Sequence, residues 1–271
     1  MSWLRLLMLI RAALLLGREV GAVSQLSGGD LSKVFRLHLA DGGTAIAKQV
    51  PMVAVEARML RALAERGVRV PAVIAQDGDL LIMEDVVATP GPARSWADLA
   101  ELLDILHGSA GTHYGWDEDY AFGPVVISNR PASDWVSFWA DQRLRCHLPF
   151  LDFTLGARIE ALCDRLGDLI PSKPVPALLH GDLWTGNILF DGRRVAALVD
   201  PACYHGDREV DLAMLGLFDQ PPAAFFEACC LEPGWERRQP VYRLWPLLVH
   251  LRLFGEAYAR QVGACLGELG F

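Results

Sequence analysis

The sequence predicts an α+β fold in two lobes, a small β-rich one followed by a larger helical one, and three observations carry that prediction. Between Val34 and Met83, short strand-like runs and turn residues surround one helical stretch. From about Val87 onward the apolar spacing is helical. One hairpin pattern, from Ile188 to Val199, interrupts the helices, with an amide before it and a carboxylate after it.

In the first lobe, Leu4, Leu6, Leu7, Met8, Leu9 and Ile10 follow a short polar start, and Arg11 interrupts the apolar run. The run is too short to span a bilayer. It reads as an amphipathic helix capping the lobe, the alternative being a signal peptide with Val20-Gly21-Ala22 as its cleavage site. Gly28-Gly29 precedes a hairpin in which Val34 to Leu39 and Ala45 to Lys48 flank a turn at Asp41-Gly42. Val53 to Arg66 then reads as a helix ended by Gly67, and Leu80 to Met83 as a buried strand. The switch near residues 84–88, beside the turn Thr89-Pro90-Gly91-Pro92, divides the chain into lobes 1–86 and 87–271 with a cleft expected at the crossing. In the second lobe, helices are expected over Trp96 to His107, Trp135 to Leu148, Phe153 to Leu169 and Tyr242 to Leu266.

Composition narrows the function. The 271 residues are 52% hydrophobic and 21% charged, the profile of an ordered globular protein with a sizeable core. A net charge of −8 offers no long-range attraction to nucleic-acid phosphates or anionic lipid, so neither nucleic acid nor membrane is expected as a partner. The six cysteines show no C-x-x-C pair and no zinc-like spacing, which fits buried free thiols in a cytoplasmic protein. A monomer or weak dimer is expected.

The chemistry concentrates in His180-Gly181-Asp182-Leu183-Trp184-Thr185-Gly186-Asn187, followed after the hairpin by Asp200. Phosphoryl transfer to a hydroxyl needs a carboxylate that orients the hydroxyl and takes its proton, plus oxygen ligands that hold Mg²⁺ on the phosphates. Asp182 suits the first task, Asn187 and Asp200 the second. The five-residue step from Asp182 to Asn187 equals that of the protein-kinase catalytic loop. The hairpin turns at Asp191-Gly192 and returns the chain to its starting end. Ala45-Ile46-Ala47-Lys48 resembles the kinase strand whose lysine reaches the ATP phosphates. Glu56 shares a helix face with Val53, Met59, Leu60 and Leu63, so its carboxylate needs a cation, and Lys48 is the candidate.

Three further segments complete the expected nucleotide site. Backbone amides of Gly28, Gly29 and Ser32 are placed to approach phosphates, although the segment is neither G-x-G-x-x-G nor a Walker A loop. Met83 and Asp85 lie where a kinase hinge would meet adenine through backbone groups. Asp211, opening the stretch Asp211 to Leu215, is expected to brace the catalytic loop, and His107 to be a satisfied core histidine.

The run Val175 to Asn187, with H-G-D-L-W-T-G-N at its end, resembles the fructosamine-3-kinase (ketosamine-3-kinase) family of the protein-kinase-like superfamily. Asp200-Pro201-Ala202-Cys203-Tyr204, with Glu209 and Asp211, is similar to that family's second motif, and weaker likeness runs from Gly28 to Tyr258. The resemblance implies ATP-dependent phosphorylation of the O3 hydroxyl of a small or protein-bound ketosamine, after which the unstable product releases the amine. It implies Asp182 as base, Asn187 and Asp200 as metal ligands, Lys48 and Glu56 as the phosphate-positioning pair, and Trp184 and Tyr204 at the acceptor. Trp184 and the Asp200-Pro201-Ala202 run separate this pattern from an aminoglycoside- or choline-type phosphotransferase. Retention of base, lysine and metal ligands separates it from a nucleotide-binding pseudokinase. Three features depart from the family: His205-Gly206-Asp207-Arg208 stands where Tyr-Gly-His-Arg is usual, Gly123 to Asn129 lacks the usual glutamine, and the glycine loop has no cysteine.

Overall fold

The structure is a computed structural model that describes residues 3–26, 32–89, 95–192 and 194–271. The chain divides into two compact units: Met1–Ser95 with Ile188–Pro201, and Trp96–Asn187 with Ala202–Phe271. The hairpin that interrupts the helical part of the sequence therefore belongs with the N-terminal unit.

That first unit is built on five antiparallel strands, β1 (Val20–Gln25), β2 (Lys33–Leu39), β3 (Thr44–Gln49), β4 (Val73–Asp77) and β5 (Leu80–Glu84), in the order β1-β2-β3-β5-β4. Alternation sends Phe35, Leu37, Ala45, Ala47, Leu80 and Ile82 to one face, where Met8 and Ala12 of helix α1 (Trp3–Leu16) and Val20 close the core. Leu81 and Met83 face the other way, onto Val53, Ala57 and Leu60 of helix α2 (Val53–Glu65). Each large apolar side chain buried this way contributes about 1.5–3 kcal/mol. The apolar N-terminal run is thus one layer of the unit, and Val20-Gly21-Ala22 opens strand β1, with Val20 buried and Gly21 and Ala22 exposed. Arg11, which breaks the run, donates to Asp79 at 2.6 Å.

The hairpin of the same unit pairs Ile188–Asp191 with Arg194–Leu198, Leu198 opposite Ile188. Thr89 N–H donates to the Phe190 carbonyl at 3.0 Å, and Leu198 N–H to the Arg69 carbonyl at 2.8 Å, so the hairpin is tied down inside the unit. The remainder of the expected turn after Thr89 lies outside the described residues.

Helices dominate the second unit, and the aromatic residues Trp135, Phe138, Trp139, Tyr204, Tyr242 and Trp245 are buried at its centre. The helix Trp96–His107 has the expected bounds. Two others are capped by aspartates: Asp134 accepts from Ser137 N–H and Asp152 from Leu155 N–H. Three expected helices are interrupted. After Trp135–Trp139 the chain widens into a π turn over Ala140–Leu144 and tightens into 3₁₀ over Arg145–Phe150, with Pro149 in the last turn. The widened turn lets Arg143 and Leu144 both face inward, which a regular continuation of one apolar stripe does not require. The stretch from Phe153 stops at Cys163 and resumes over Leu166–Leu169, and the long C-terminal helix, Trp235–Phe254, ends at Gly255 before Ala259–Glu268.

Candidate active site

In the first unit, strand alternation puts Lys48 on the same side of β3 as Ile46, toward α2. Glu56 lies in the first turn of α2 and is fully buried, Lys48 nearly so at 4% exposure. The Lys48 ammonium donates to both Glu56 carboxylate oxygens at 2.8 Å, and to Asp200 Oδ1 at 2.9 Å. Sequence spacing anticipated the first partner but not the second. Asp200 is the open end of this group, its side chain 40% exposed. Asp200 sits at φ 55°, a left-handed conformation that a non-glycine residue adopts at some energetic cost.

Near the expected hinge, Met83 is buried in the core against α2. The Asp85 carboxylate is gripped by Arg36 from β2, with Nε at 2.7 Å from one oxygen and Nη2 at 3.1 Å from the other. The Asp85 side chain is therefore engaged within the unit. Ser32 is half-buried just before β2, while Gly28 and Gly29 lie outside the described residues.

In the second unit, the buried strand Ala177–Leu179 delivers His180 to the start of the loop. Gly181 has φ 78°, and a Cβ there would stand 2.0 Å from the Ala202 carbonyl oxygen, so only glycine fits. This explains two motif residues at once: Ala202 N–H also donates to the His180 carbonyl at 2.8 Å. Asp211 accepts from His180 N–H at 2.8 Å, Gly181 N–H at 2.9 Å and His107 Nε2 at 3.0 Å. Burial alone would raise its pKa, but the His107 hydrogen bond and charge, His180 and the Gly181 amide outweigh burial, and the net shift is downward. The expected brace is present, with His107 as its buried partner.

Asn187 Nδ2 donates to the Asp182 carbonyl and to Asp182 Oδ2, both at 2.8 Å. Two acceptors on the same amide nitrogen fix its orientation and leave Oδ1 as an acceptor for a cation. Between them the loop is pinned by Asp219, which accepts from Thr185 N–H at 2.8 Å and from the Thr185 hydroxyl. Trp184 is 41% exposed, and its indole occupies the space where a Gly186 Cβ would lie, at 2.2 Å.

Tyr204 corrects an expectation. It is fully buried, with its ring against Arg143 and Trp245, so it supports the site from the core rather than touching an acceptor. Sequence reasoning also missed Arg143, fully buried, which donates to the Ser128 carbonyl and Asn129 Oδ1 and so holds the segment that departs from the family pattern. Neither contact has a local sequence signal.

The first unit offers a lysine held by carboxylates, and the second a carboxylate held by an amide, with the His180 and Gly181 backbone donors satisfied. Positioning and charge of this kind are what transfer of a phosphoryl group requires of a protein. The α+β architecture and these residues define the class: an ATP-dependent phosphotransferase of protein-kinase-like fold, acting on a hydroxyl. The particular family follows from the sequence as a whole. The chain belongs to the fructosamine kinase family, whose model matches residues 9–269. It is 37% identical over 250 residues to the probable ketoamine kinase TTHA1179 of Thermus thermophilus, covering 88% of this chain and 90% of that one. It is 31% identical over 220 residues to the chloroplastic protein-ribulosamine 3-kinase of Arabidopsis thaliana, covering 75% and 67%. The crystal structure of a candidate fructosamine-3-kinase from Thermobifida fusca superposes with a TM-score of 0.87 at 32% identity, covering 96% of this chain and 97% of that one. An aminoglycoside phosphotransferase, APH(4)-Ia, crystallised with AMP-PNP and hygromycin B, shares the fold alone, at TM-score 0.65 and 21% identity over 92% of each chain. Among the described residues no helix is long and apolar enough to cross a membrane.

Proposed function

We propose that this chain transfers the γ-phosphoryl group of ATP to the O3 hydroxyl of a ketosamine, a sugar adduct of an amine, and thereby starts its removal. The observation that carries the reading is the Asn187 amide on Asp182, which aims one carboxylate at an incoming hydroxyl. The O3 oxygen attacks the γ-phosphorus, the bond to the β-phosphate oxygen breaks, ADP leaves, and the hydroxyl proton passes to Asp182. Lys48, oriented by Glu56, meets the phosphates, helped by backbone amides near Gly28, Gly29 and Ser32, with adenine at the Met83–Asp85 backbone. Trp184 walls the sugar.

Mg²⁺ is the finer part of the proposal. The carboxylate of Asp200, which stays 40% exposed, and the amide oxygen of Asn187 are hard donors of the type this ion takes. When bound, it would neutralise charge developing on the phosphates. The lobe of residues 1–86, with the hairpin that belongs to the same unit, serves the nucleotide, and the rest of residues 87–271 the acceptor, in a cytoplasmic monomer or weak dimer.

The test is ATP consumption with ribulose-lysine, fructose-lysine and kanamycin, for wild type and Asp182→Asn. Turnover of the ketosamines alone is expected, and the variant should bind nucleotide yet lose about 10²–10⁴ in turnover, the usual worth of a general base. Turnover of kanamycin but no ketosamine would refute the acceptor assignment; near-wild-type turnover by Asp182→Asn would refute the base.

A further inference from the structure

Beyond the catalytic loop, the exposed Trp184 ring begins a continuous aromatic series within the second unit. Trp184 meets Phe218 edge-on at 6.4 Å, and Phe218 lies 4.9 Å from His250. His250 is followed by Phe254 at 5.4 Å and Tyr258 at 5.0 Å, which are 6.1 Å from each other. Phe254 closes the long helix and Gly255, at φ 79°, turns the chain so that Tyr258 comes back against it. Both ends of the series are open, Trp184 at 41% and Phe254 at 44% exposure. A single exposed ring is ordinary, but a series leading away from a catalytic loop is a surface that something can cover.

The occupant follows from substrate chemistry. In a ketosamine the amine is attached at C1, two carbons from O3. A sugar with O3 at Asp182 and one face on Trp184 therefore leads its amine substituent away from the loop at short range. Ring faces attract the ammonium of that amine and bury its apolar remainder. The middle ring is held for this role, because His250 Nδ1–H donates to the Pro246 carbonyl at 2.7 Å. Burial lowers the basicity of that histidine, which weakens its repulsion of an ammonium.

We infer that Phe218, His250, Phe254 and Tyr258 form a carrier subsite that selects ketosamines whose amine bears an apolar or aromatic group. The inference rests on the ketosamine reading and extends it to the part of the substrate that does not react. It is tested by kcat/KM at saturating ATP for the ribulose adducts of methylamine, butylamine and 4-phenylbutylamine. Wild type should prefer the phenylbutyl adduct to the methyl adduct by roughly tenfold or more, the gain lying in KM. Phe254→Ala and Tyr258→Ala should each reduce that ratio by roughly three- to tenfold. Equal kcat/KM on all three adducts in wild type, or a ratio that survives in both variants, overturns the subsite while ketosamine phosphorylation stands. Turnover of none of them removes the acceptor assignment and the subsite together.

Discussion

Two buried cations, one in each unit, are handled in opposite ways. Lys48 is met by two carboxylates at 2.8–2.9 Å. Arg143, fully buried, has no carboxylate within ion-pair distance among the described residues. Its N–H groups donate to the Ser128 and Gln142 carbonyls and to Asn129 Oδ1, and its guanidinium carbon lies 4.1, 4.6 and 4.9 Å from the ring centres of Tyr204, Phe138 and Trp245. An ammonium is a compact, strongly hydrated charge and needs anions when it leaves water. A guanidinium is delocalised and can be shared among ring faces and carbonyls. Desolvation still lowers the Arg143 pKa, and the Tyr204 pKa is pushed up to about 12, burial prevailing over the nearby guanidinium. The lysine arrangement opens to solvent at Asp200, where a ligand can reach it. The arginine arrangement is closed and serves as architecture.

That contrast breaks most readily at Lys48. Lys48→Met should cost about 10²–10³ in turnover, the usual scale for a lost charge-stabilising donor. It should also lower stability by about 1–3 kcal/mol by stranding Glu56, and unchanged melting together with unchanged turnover would dissolve the pair's role. Arg143→Met should show the reverse pattern: about 2–3 kcal/mol lost in urea denaturation as the Ser128 carbonyl and Asn129 amide lose their donor, with turnover of the folded enzyme within about threefold. A large drop in turnover without a stability change would place Arg143 among the functional cations instead. Arg143→Lys should not restore stability, because an ammonium cannot reproduce the planar fork.

The smallest effect tests the field of the closed site. His147 is buried with neither ring nitrogen hydrogen-bonded among the described residues, and burial, then Arg252 and Arg143, lower its pKa to about 3. The unfolded chain, with a histidine near 6.5, therefore binds a proton that the folded chain refuses between pH 6.5 and 3. Stability falls as pH drops through that window. His147→Leu should remove about 1.4 kcal/mol of that loss at pH 5.5, read as a flatter dependence of denaturation midpoint on pH. An unchanged slope would mean that His147 is solvated or paired.

The same contrast separates what the sequence revealed from what it concealed. Glu56 was legible because helical offsets from Val53, Met59, Leu60 and Leu63 put a carboxylate on an apolar face, where it demands a cation. Asp182 and Asn187 were legible because a five-residue step within one loop is local. Arg143 was not, since periodicity tells which residues face inward but not what receives a charge there, and the π turn at Ala140–Leu144 shifts the helical phase. Tyr204 looked available because it follows a motif, yet strand pairing with Leu179 sends it into the core. Partners far apart in sequence, such as Arg36 with Asp85 or His107 with Asp211, left no local mark. Strand β1, short and glycine-containing, hid for the opposite reason, a weak pattern rather than a distant partner.

The carboxylate of Asp211, holding the first two amides of the catalytic loop, bears on how this protein can diversify. His180 and Gly181 are joined to the helix Glu209–Phe218 through that side chain, and Gly181 has no room for another residue against Ala202. Natural drift and directed evolution should therefore leave those positions nearly invariant and record changes of acceptor range from Trp184 outward, where rings rather than backbone amides set the fit.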